Sequence, residues 1–575
     1  MIKKKTCVQR GFFMERQHVI RINQVGFLPD SSKRFLWTGD TPKSKRFSVQ
    51  YLEHCVYSEV YSGTVELQSG NDGDSAWVGD FSAVDQPGDY IIEIDGVKSR
   101  QFVICKGAYD LCARMMMEYY TWQRCGSELG WAGKCHMDDG YIKETGEHVD
   151  LSGGYHQSCD LRKSPGGVSI GVLGMMNYVL REHTPWGNRL FADEARWACD
   201  YFTKTIQDSG AMYNTLNAPF GWGGRTFYRS AAPSSAQWCT TSLLALGSLY
   251  FKKRDPVLSQ KYLEASLRSW NYMTGPERPA ELYKHPDPFP RGMDADNFYA
   301  LCYKDSGADL AYHAVTAANL FRATGDKSYL EVLREKAEKF ASLCLDGDAA
   351  FCVLANETTQ NLVVGAAYSY IPGNLLALCD ALELLPAPSA FLREKCRCAA
   401  DALCAFMKTN VWHHIRPVFG EDDMNAIVGH PAPGRVLPTR REGMTAETPL
   451  KTVQNGEEYV CYYDRANQTF QPTTECAFGV FLARCAKIFG NPEYRACAQS
   501  VIDQLLGVNP LDSNHVLGIG TNHAPHRAFG QFFPSTPFIP GAVGVGYNTL
   551  DVYKGCGSEY DMPCVGMALY LIAHL

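Results

Sequence analysis

The sequence has no apolar run long enough to span a lipid bilayer, which needs about 20 consecutive apolar residues. It also has no excess of positive charge, because 55 Lys and Arg residues stand against 62 Asp and Glu residues, a formal net charge of -7. Nucleic-acid-binding domains usually carry a basic patch. These absences predict a globular protein with neither a membrane nor a nucleic acid as its partner.

The first residues of the sequence do not have the pattern of a secretion signal. Lys3, Lys4 and Lys5 open the chain, but no apolar segment with a small-residue cleavage site follows them. We therefore expect a cytoplasmic protein whose residues 1–16 form a flexible tail. In that compartment the 22 cysteines are expected to be reduced thiols, and most of them to serve as small hydrophobic residues in helices.

At 575 residues the chain is long enough for two or more domains. Residues 17–105 contain several short runs of β-branched and aromatic residues. One of them, Tyr90–Ile94, is followed by Asp95-Gly96, which is a strong hairpin signal. Several short strands over about ninety residues predict a β-sandwich.

The pattern changes to a helical one after Gly107. From Ala108 to the end of the chain, apolar residues recur at intervals of three and four residues, and this period predicts about twelve helices. Tight turns such as Thr324-Gly325-Asp326 join several of them. Since the sequence has no strict repeat of the solenoid kind, antiparallel helical hairpins in this number predict an α/α toroid.

Three long stretches, at about 209–235, 274–305 and 410–472, lack the helical period and are rich in Pro, Gly and aromatic residues. Loops of this length in a compact domain are usually functional. We expect them to gather on one face of the toroid and to build a cleft, with Trp222, Tyr228 and Trp412 among the residues that line it.

One group of residues has the chemistry of a metal site. Cys125, Cys135, His136 and His156 lie within about thirty residues, and two thiolates with two imidazoles are a normal ligand set for structural zinc. Their spacing is not that of a common zinc finger. Two buried thiols and two ordinary histidines therefore remain an equal alternative.

Two acidic residues stand in contexts that suit acid–base catalysis of glycosidic bond hydrolysis, which needs two carboxyl groups. Asp160 follows the flexible pair Gly153-Gly154, and Glu559 precedes an apolar segment that would favour its protonated form. The alternatives are a solvated surface charge for Asp160 and a helix-capping role for Glu559. His526 and Arg527, on a Gly-rich loop, either bind sugar hydroxyls or face water.

Several motifs, in this order, resemble those of glycoside hydrolase family 9, the cellulase-like family, over nearly the whole chain. The loop Ser152–Asp160 resembles the family's Ser-Gly-Gly-Trp-His-Asp-Ala-Gly-Asp loop. The other matching segments are Ile22-Asn23-Gln24-Val25-Gly26-Phe27-Leu28-Pro29, Pro87-Gly88-Asp89-Tyr90, Gly507-Val508-Asn509-Pro510, His526-Arg527 and Ser558-Glu559.

The resemblance implies two domains, an N-terminal immunoglobulin-like β-sandwich over residues 17–105 and an (α/α)6 barrel catalytic domain over residues 106–575. It implies an inverting mechanism, with Asp160 as general base, Glu559 as general acid and ~6.5–9.5 Å between their carboxyl groups. It also implies a structural zinc ion held by Cys125, Cys135, His136 and His156. Calcium sites occur in the family, but their ligands are not identifiable in this chain.

The chain departs from the family pattern at several positions. Gln157 replaces the Asp that helps to position the attacking water; its amide still forms hydrogen bonds but carries no charge. Tyr155 replaces a Trp, and Pro525 replaces one His. We expect Tyr155, Trp222, His526 and Arg527 to bind substrate.

These features predict hydrolysis of short β-linked gluco-oligosaccharides of the cellodextrin type, with release from a chain end. One alternative is an exo-β-glucosaminidase that acts on chitosan-type oligosaccharides, with acidic residues of the loop Gly420-Glu421-Asp422-Asp423 near the amino group. Another is a carbohydrate-binding protein on a hydrolase scaffold that Gln157 has impaired. The sequence leaves the sugar, the linkage and the oligomeric state open.

Overall fold

The structure is a computed structural model, and it describes most of both predicted domains. The described residues are 19–70, 74–129, 133–158, 161–181, 188–217, 226–229, 232, 234–276, 278, 307–343, 375–409, 411–412, 418–420, 450–454, 457–463, 469–470, 472–523, 539–544, 547–548 and 560–575.

Two β-sheets form the N-terminal domain, in the strand orders β1-β3-β7-β6 and β2-β10-β8-β4-β5, with β9 paired to β8. Between them lies a core of aromatic residues in which the ring of Phe27 meets those of Phe81 and Phe102 edge to face. The strands are β1 Ile20–Arg21, β2 Gly26–Phe27, β3 Arg34–Trp37, β4 Arg46–Glu53, β5 Val56–Thr64, β6 Glu66–Ser69, β7 Ser75–Asp80, β8 Gly88–Ile94, β9 Val97–Lys98 and β10 Phe102–Ile104. The prediction of an N-terminal sandwich is confirmed.

Twelve helices occupy the described part of the chain after this domain, and each lies over one of the segments that the apolar period predicts. They are α1 Asp110–Trp122, α2 Pro165–Arg181, α3 Asn188–Thr205, α4 Ser234–Phe251, α5 Pro256–Thr274, α6 Gly307–Thr324, α7 Ser328–Leu343, α8 Leu376–Leu384, α9 Ala390–Thr409, α10 Pro472–Phe489, α11 Pro492–Leu505 and α12 Met562–Ile572.

The even-numbered helices form a closed inner ring. Each of α2, α4, α6, α8 and α10 packs against the next even-numbered helix, and α12 packs back against α2. The inner helices α4 and α12 are buried on almost every side, whereas the odd-numbered helices alternate between buried and exposed faces, as an outer layer must. This arrangement is the (α/α)6 barrel that the resemblance implies.

Glycines let two inner helices touch through their backbones. A Cβ atom on Gly566 of α12 would collide with the backbone of Gly171 of α2, and one on Gly174 would collide with the backbone of Gly566. A residue without Cβ permits this close approach. The contact places the first turns of α12 against the middle of α2, and α12 begins three residues after the predicted site residue Glu559.

Two of the three stretches predicted as long loops, 209–235 and 410–472, contain short strands, so they are not loops throughout. These strands are β12 Asn214–Asn217, β13 Phe227–Arg229, β14 Val418–Gly420, β15 Leu450–Gln454, β16 Glu457–Tyr463 and β17 Thr469–Phe470. Two further short strands, β11 Tyr141–Ile142 and β18 Tyr547–Asn548, lie outside the predicted stretches. Trp412 packs against Leu36 and Val78 of the sandwich, and Tyr228 is fully buried. The prediction that these two aromatic residues line a cleft is therefore wrong. Among the described helices, none is long and apolar enough to cross a membrane.

The sandwich is joined to the barrel by its Asn23-Gln24 segment. The Gln24 side-chain oxygen accepts hydrogen bonds from the backbone N–H groups of Thr521 and Asn522, at 3.1 and 3.0 Å, and its amide donates to the Asp512 carbonyl at 3.0 Å. Arg100, also from the sandwich, pairs with the buried Asp512 carboxylate at 2.5 Å. The N-terminal domain thus holds the barrel loop that leads toward His526 and Arg527.

A buried carboxyl group makes this joint sensitive to pH. Oδ1 of Asp503, on α11, accepts hydrogen bonds from Asn23 and Gln499, both at 2.8 Å. Burial raises the pKa of Asp503 to about 7, and the nearby Lys33 and Arg34 only partly oppose this effect. Because the folded-state pKa exceeds the ordinary value of 3.8, the carboxyl contributes stability that is complete below about pH 4 and is lost as pH rises through 7.

Asp503→Asn is therefore expected to stabilise the protein at pH 8 and to leave it unchanged near pH 4. The neutral amide keeps an oxygen acceptor for both donors, so the gain at pH 8 should approach about 4 kcal/mol, at about 1.4 kcal/mol for each unit of pKa shift. Urea unfolding of both proteins at several pH values measures it. Asp193→Asn, an exposed substitution on α3, is the control for general effects of replacing an Asp by Asn. A difference between the wild type and Asp503→Asn that stays constant from pH 4 to pH 8 would contradict the assignment.

Candidate active site and metal cluster

The loop that carries the predicted base is fixed at its start by pairing with the end of α1. The Cys125 N–H donates to the Gly154 carbonyl at 2.9 Å, and the His156 N–H donates to the Gln123 carbonyl at 2.8 Å. Gly154 has a φ of +73°, and a Cβ there would collide with the ring of Tyr201. Glycine is required at this position for both reasons.

Hydrogen bonds also join the described residues before Asp160 to those after it. The Gln157 N–H donates to the Arg162 carbonyl at 2.9 Å, the Leu161 N–H donates to the Ser158 carbonyl at 3.2 Å, and His156 pairs with Lys163. Asp160 lies between these residues in sequence but outside the described residues. Its predicted role as general base therefore stays a prediction.

The chain just before Asp160 meets the chain that follows Glu559. Ser158 pairs with Asp561 in an antiparallel bridge, and the Met562 N–H at the start of α12 donates to the Gln157 carbonyl at 3.0 Å. Glu559 itself also lies outside the described residues. Residues two positions from each predicted carboxylate are thus direct neighbours, although about 400 residues separate them in sequence.

Four predicted metal ligands converge beside this loop. The ligand atoms of Cys125, Cys135, His136 and His156 all lie within 4.8 Å of one another, and all four side chains are buried. The Cys135 Sγ lies 3.3 Å from the His156 Nε2. Two sulfurs and two imidazole nitrogens at these separations form a cluster able to hold one metal ion.

The protonation states of the cluster suit metal binding only in part. Hydrogen bonds from the Cys125 thiol and then from His136 and His156 lower the pKa of Cys135 to about 2. Burial lowers the pKa of His156, which keeps its imidazole neutral, and burial raises the pKa of the Cys125 thiol well above its ordinary value. A metal ion must displace the Cys125 proton to gain its second thiolate.

Beneath the loop lies a buried group of polar residues centred on Glu194 of α3. Its carboxylate accepts hydrogen bonds from the Thr121 hydroxyl and the Tyr155 hydroxyl, the latter at 3.0 Å, and pairs with Arg124 at 2.8 Å. Burial raises the pKa of Glu194, while Arg124 and these hydrogen bonds oppose the shift. Tyr155 is fully buried, with its ring against Tyr120. The structure therefore makes Tyr155 a support of the loop, in contrast to its predicted contact with substrate.

A second buried ion pair lies on the other side of the loop. Lys163 donates to the Leu151 carbonyl and pairs with Asp139 at 3.2 Å, and both side chains are 1% exposed. Asp139 also accepts hydrogen bonds from the Thr226 N–H at 3.2 Å and the Tyr228 hydroxyl at 3.4 Å. This network joins both ends of the loop to strand β13. Sequence reasoning missed the supporting residues Lys163, Asp139 and Glu194.

The remaining predicted residues are only partly described. Gln157 is half-buried, with its side chain against Gly167 in the first turn of α2. Trp222, His526 and Arg527 lie outside the described residues, so their roles in substrate binding stay predictions. Asn509 of the Gly-Val-Asn-Pro motif has a structural role, because its side chain bonds to the backbone of Gln504, Leu511 and Ser513.

Comparison with known proteins places this geometry in a family. Residues 15–99 match the model of the cellulase N-terminal Ig-like domain, and residues 109–414 match the model of glycosyl hydrolase family 9. Endoglucanase D of Acetivibrio thermocellus is 24% identical over 358 residues, which cover 56% of this chain and 54% of that protein. Cellodextrinase of Butyrivibrio fibrisolvens is 25% identical over 362 residues, which cover 56% of this chain and 62% of that protein.

The aligned part thus spans little more than half the length of these curated relatives. Among solved structures, a Zn-binding triple mutant of GH family 9 endoglucanase J30 has the same fold, with a TM-score of 0.64, 17% sequence identity, and coverage of 95% of this chain and 99% of that one. Because the family model matches more than half of the sequence, the chain belongs to glycosyl hydrolase family 9.

Proposed function

We propose that the protein is an inverting glycosidase that hydrolyses short β-linked gluco-oligosaccharides. The observation that supports this proposal is the hydrogen-bonded contact between the Gln157–Ser158 and Asp561–Met562 segments. It brings the chain next to Asp160 and the chain next to Glu559 to one place. Two carboxyl groups on opposite sides of one sugar are the requirement of this chemistry.

In the proposed mechanism Glu559 donates its proton to the leaving oxygen, and Asp160 removes a proton from the attacking water. The water enters from the opposite face of the ring, so the configuration at the anomeric carbon inverts. Gln157 contributes a hydrogen bond to the water through its amide. Since the amide is neutral, it adds no charge repulsion that would raise the pKa of Asp160. The buried Glu194 and Lys163 groups hold the loop that carries Asp160.

The substrate class rests on the relatives. A cellodextrinase and an endoglucanase are among the proteins that this chain resembles, and we propose cellodextrins as the substrate and attack at a chain end. We also propose that the two domains meet near residue 105, between β10 and α1. The N-terminal sandwich serves the barrel by holding the 507–522 loop through Gln24 and Arg100.

Hydrolysis of cellobiose, cellotriose, laminaribiose and chitosan disaccharide, followed by NMR of the fresh product, tests this function. We expect turnover of cellotriose, with a product that is first formed as the α-anomer. Faster turnover of the chitosan disaccharide than of cellotriose would show that the preferred substrate is a glucosaminide. A β-anomer would contradict the inverting mechanism. Binding of sugars without any turnover would favour the carbohydrate-binding alternative that Gln157 suggests.

We propose that the Cys125, Cys135, His136 and His156 cluster holds zinc. Two thiolates balance the charge of a divalent ion, and two neutral imidazoles complete the four ligands of a tetrahedral structural site. A Zn-binding protein of this fold is known in the J30 triple mutant. The ion would tie the end of α1 to the loop before Asp160 and would take no part in bond cleavage.

Protein purified with zinc available is expected to contain about one zinc ion per chain, the stoichiometry of a four-ligand structural site. Cys125→Ser should lose the ion and should unfold at lower temperature, because metal-binding energy contributes to folding in such sites. Cys239→Ser, a buried thiol outside the cluster, is the matched control and should retain zinc. Equal zinc contents in both variants would contradict the assignment.

A further inference from the structure

A second group of ligand atoms lies far from the predicted site in sequence. Cys379 of α8, Cys396 of α9 and Cys485 of α10 are all fully buried, and their sulfur atoms lie within 4.8 Å of one another. The Sγ of Cys485 is 3.6 Å from that of Cys396 and 3.9 Å from that of Cys379. Three different helices thus direct a thiol to one point between the inner and outer layers.

The size of this triangle matches a metal ion with three sulfur ligands. A cation equidistant from three atoms with these separations lies about 2.2–2.4 Å from each, and metal–thiolate bonds are about 2.3 Å long. Three thiols that served only as small hydrophobic residues would not need to converge. The triangle could therefore accept an ion without movement of the helices.

An ion pair beside the thiols fixes the positions of two of them, Cys379 and Cys485. Arg484, which precedes Cys485, pairs at 2.7 Å with Asp380, which follows Cys379, and also with Glu383. Arg484 and Asp380 are 2% and 3% exposed. This buried pair sets the register of α8 against α10, so the two sulfurs stay together.

The number of ligands and the local charge select the kind of ion. Among the described residues beside the thiols, Arg322 and Arg484 balance Asp380 and Glu383, so this group of four side chains carries no net charge. A monovalent ion that displaces one thiol proton keeps this neutrality, whereas a divalent ion must displace two. Zinc also requires a fourth ligand, and within the described residues this group contains three. Soft thiolate ligands favour Cu(I).

We propose that Cys379, Cys396 and Cys485 form a binding site for one soft monovalent metal ion, with Cu(I) as the biological example. Binding forms copper–sulfur bonds and releases one thiol proton to solvent for each thiolate formed. Neither copper nor sulfur changes its oxidation state. The site is separate from the proposed zinc cluster, and it does not depend on the proposed hydrolase activity.

Uptake of Cu(I) from a bicinchoninate buffer by the reduced full-length protein tests this proposal. The wild type is expected to remove one more copper ion per chain from the coloured complex than Cys396→Ser or Cys485→Ser does. Cys239→Ser, outside both clusters, should equal the wild type. X-ray absorption of the protein with one copper ion should show sulfur neighbours at about 2.2–2.3 Å.

A serine variant that is less stable could take up less copper because part of it is unfolded. Thermal unfolding with and without Cu(I) separates this effect from the loss of a ligand. An ion that binds only the folded state stabilises it. Cu(I) should therefore raise the unfolding temperature of the wild type and of Cys239→Ser. It should not raise the unfolding temperature of Cys396→Ser, which lacks one of the three thiols. Equal copper uptake by the wild type and both cluster variants would overturn the proposal. Retention of zinc in place of Cu(I) at these three thiols would overturn the assignment to a monovalent ion.

Discussion

Glu559→Gln and Asp160→Asn are each expected to lower the turnover of cellotriose by about 10²–10⁴-fold, the usual contribution of one general acid or base. Gln cannot donate the proton that the leaving oxygen needs, and Asn cannot remove the proton of the attacking water. Neither substitution changes the volume of the side chain much. Circular dichroism and the unfolding temperature should therefore match the wild type, while kcat falls.

The acidity of the leaving group distinguishes the role of Glu559 as general acid from that of Asp160 as general base. With an aryl glycoside whose phenol is strongly acidic, bond cleavage needs little help from an acid, so Glu559→Gln should regain most of its rate. Asp160→Asn should remain slow with every leaving group, because each still requires an activated water. The partly exposed Glu118 on α1 pairs only with Arg114 among the salt bridges of the described residues, so Glu118→Gln is a matched control and should keep the wild-type rate. An equal recovery of both variants with the aryl substrate would contradict the assigned roles.

The sequence predicts the two-domain architecture well because each helix and strand is indicated by the pattern of its own residues. The period of apolar residues extends over whole helices of the barrel, and turn residues such as Gly325 and Gly490 mark where α6 and α10 end. A ring of antiparallel helices follows from the number of hairpins. The position of α2 against α12 depends on Gly171, Gly174 and Gly566, and a single sequence does not show which glycines meet.

The convergence of Cys125, Cys135, His136 and His156 could be predicted because these four residues are close in sequence and chemically distinct. The support of the loop could not be predicted in the same way. Lys163 and Glu194 resemble the many other charged residues of the chain, and only the folded structure shows that both are fully buried. The place of Tyr155 in the motif predicts a contact with substrate, whereas in the structure its hydroxyl donates a hydrogen bond to Glu194 within the core.

Lys163→Met is expected to lower the free energy of unfolding by about 3–5 kcal/mol, since removal of one partner from a buried ion pair leaves an uncompensated charge. The substitution keeps most of the apolar stem and removes the ammonium group. Asp139 would retain the hydrogen bonds from Thr226 and Tyr228 but would lose its counter-charge. The Leu151 carbonyl would lose its donor at the same time.

Lys204→Met, on α3, provides a control because Lys204 contacts the start of the same loop from the exposed side. Lys204 pairs with Asp150 at 2.9 Å, but their side chains are 38% and 65% exposed, so its loss should cost about 0–1 kcal/mol. Addition of Asp139→Asn to Lys163→Met should restore part of the lost stability, because the unpaired carboxylate is then gone. Urea unfolding measures all four proteins. If Lys163→Met is as mild as Lys204→Met, the buried pair does not hold the loop. If it is costly and turnover falls with it, the stability of this loop limits the position of Asp160.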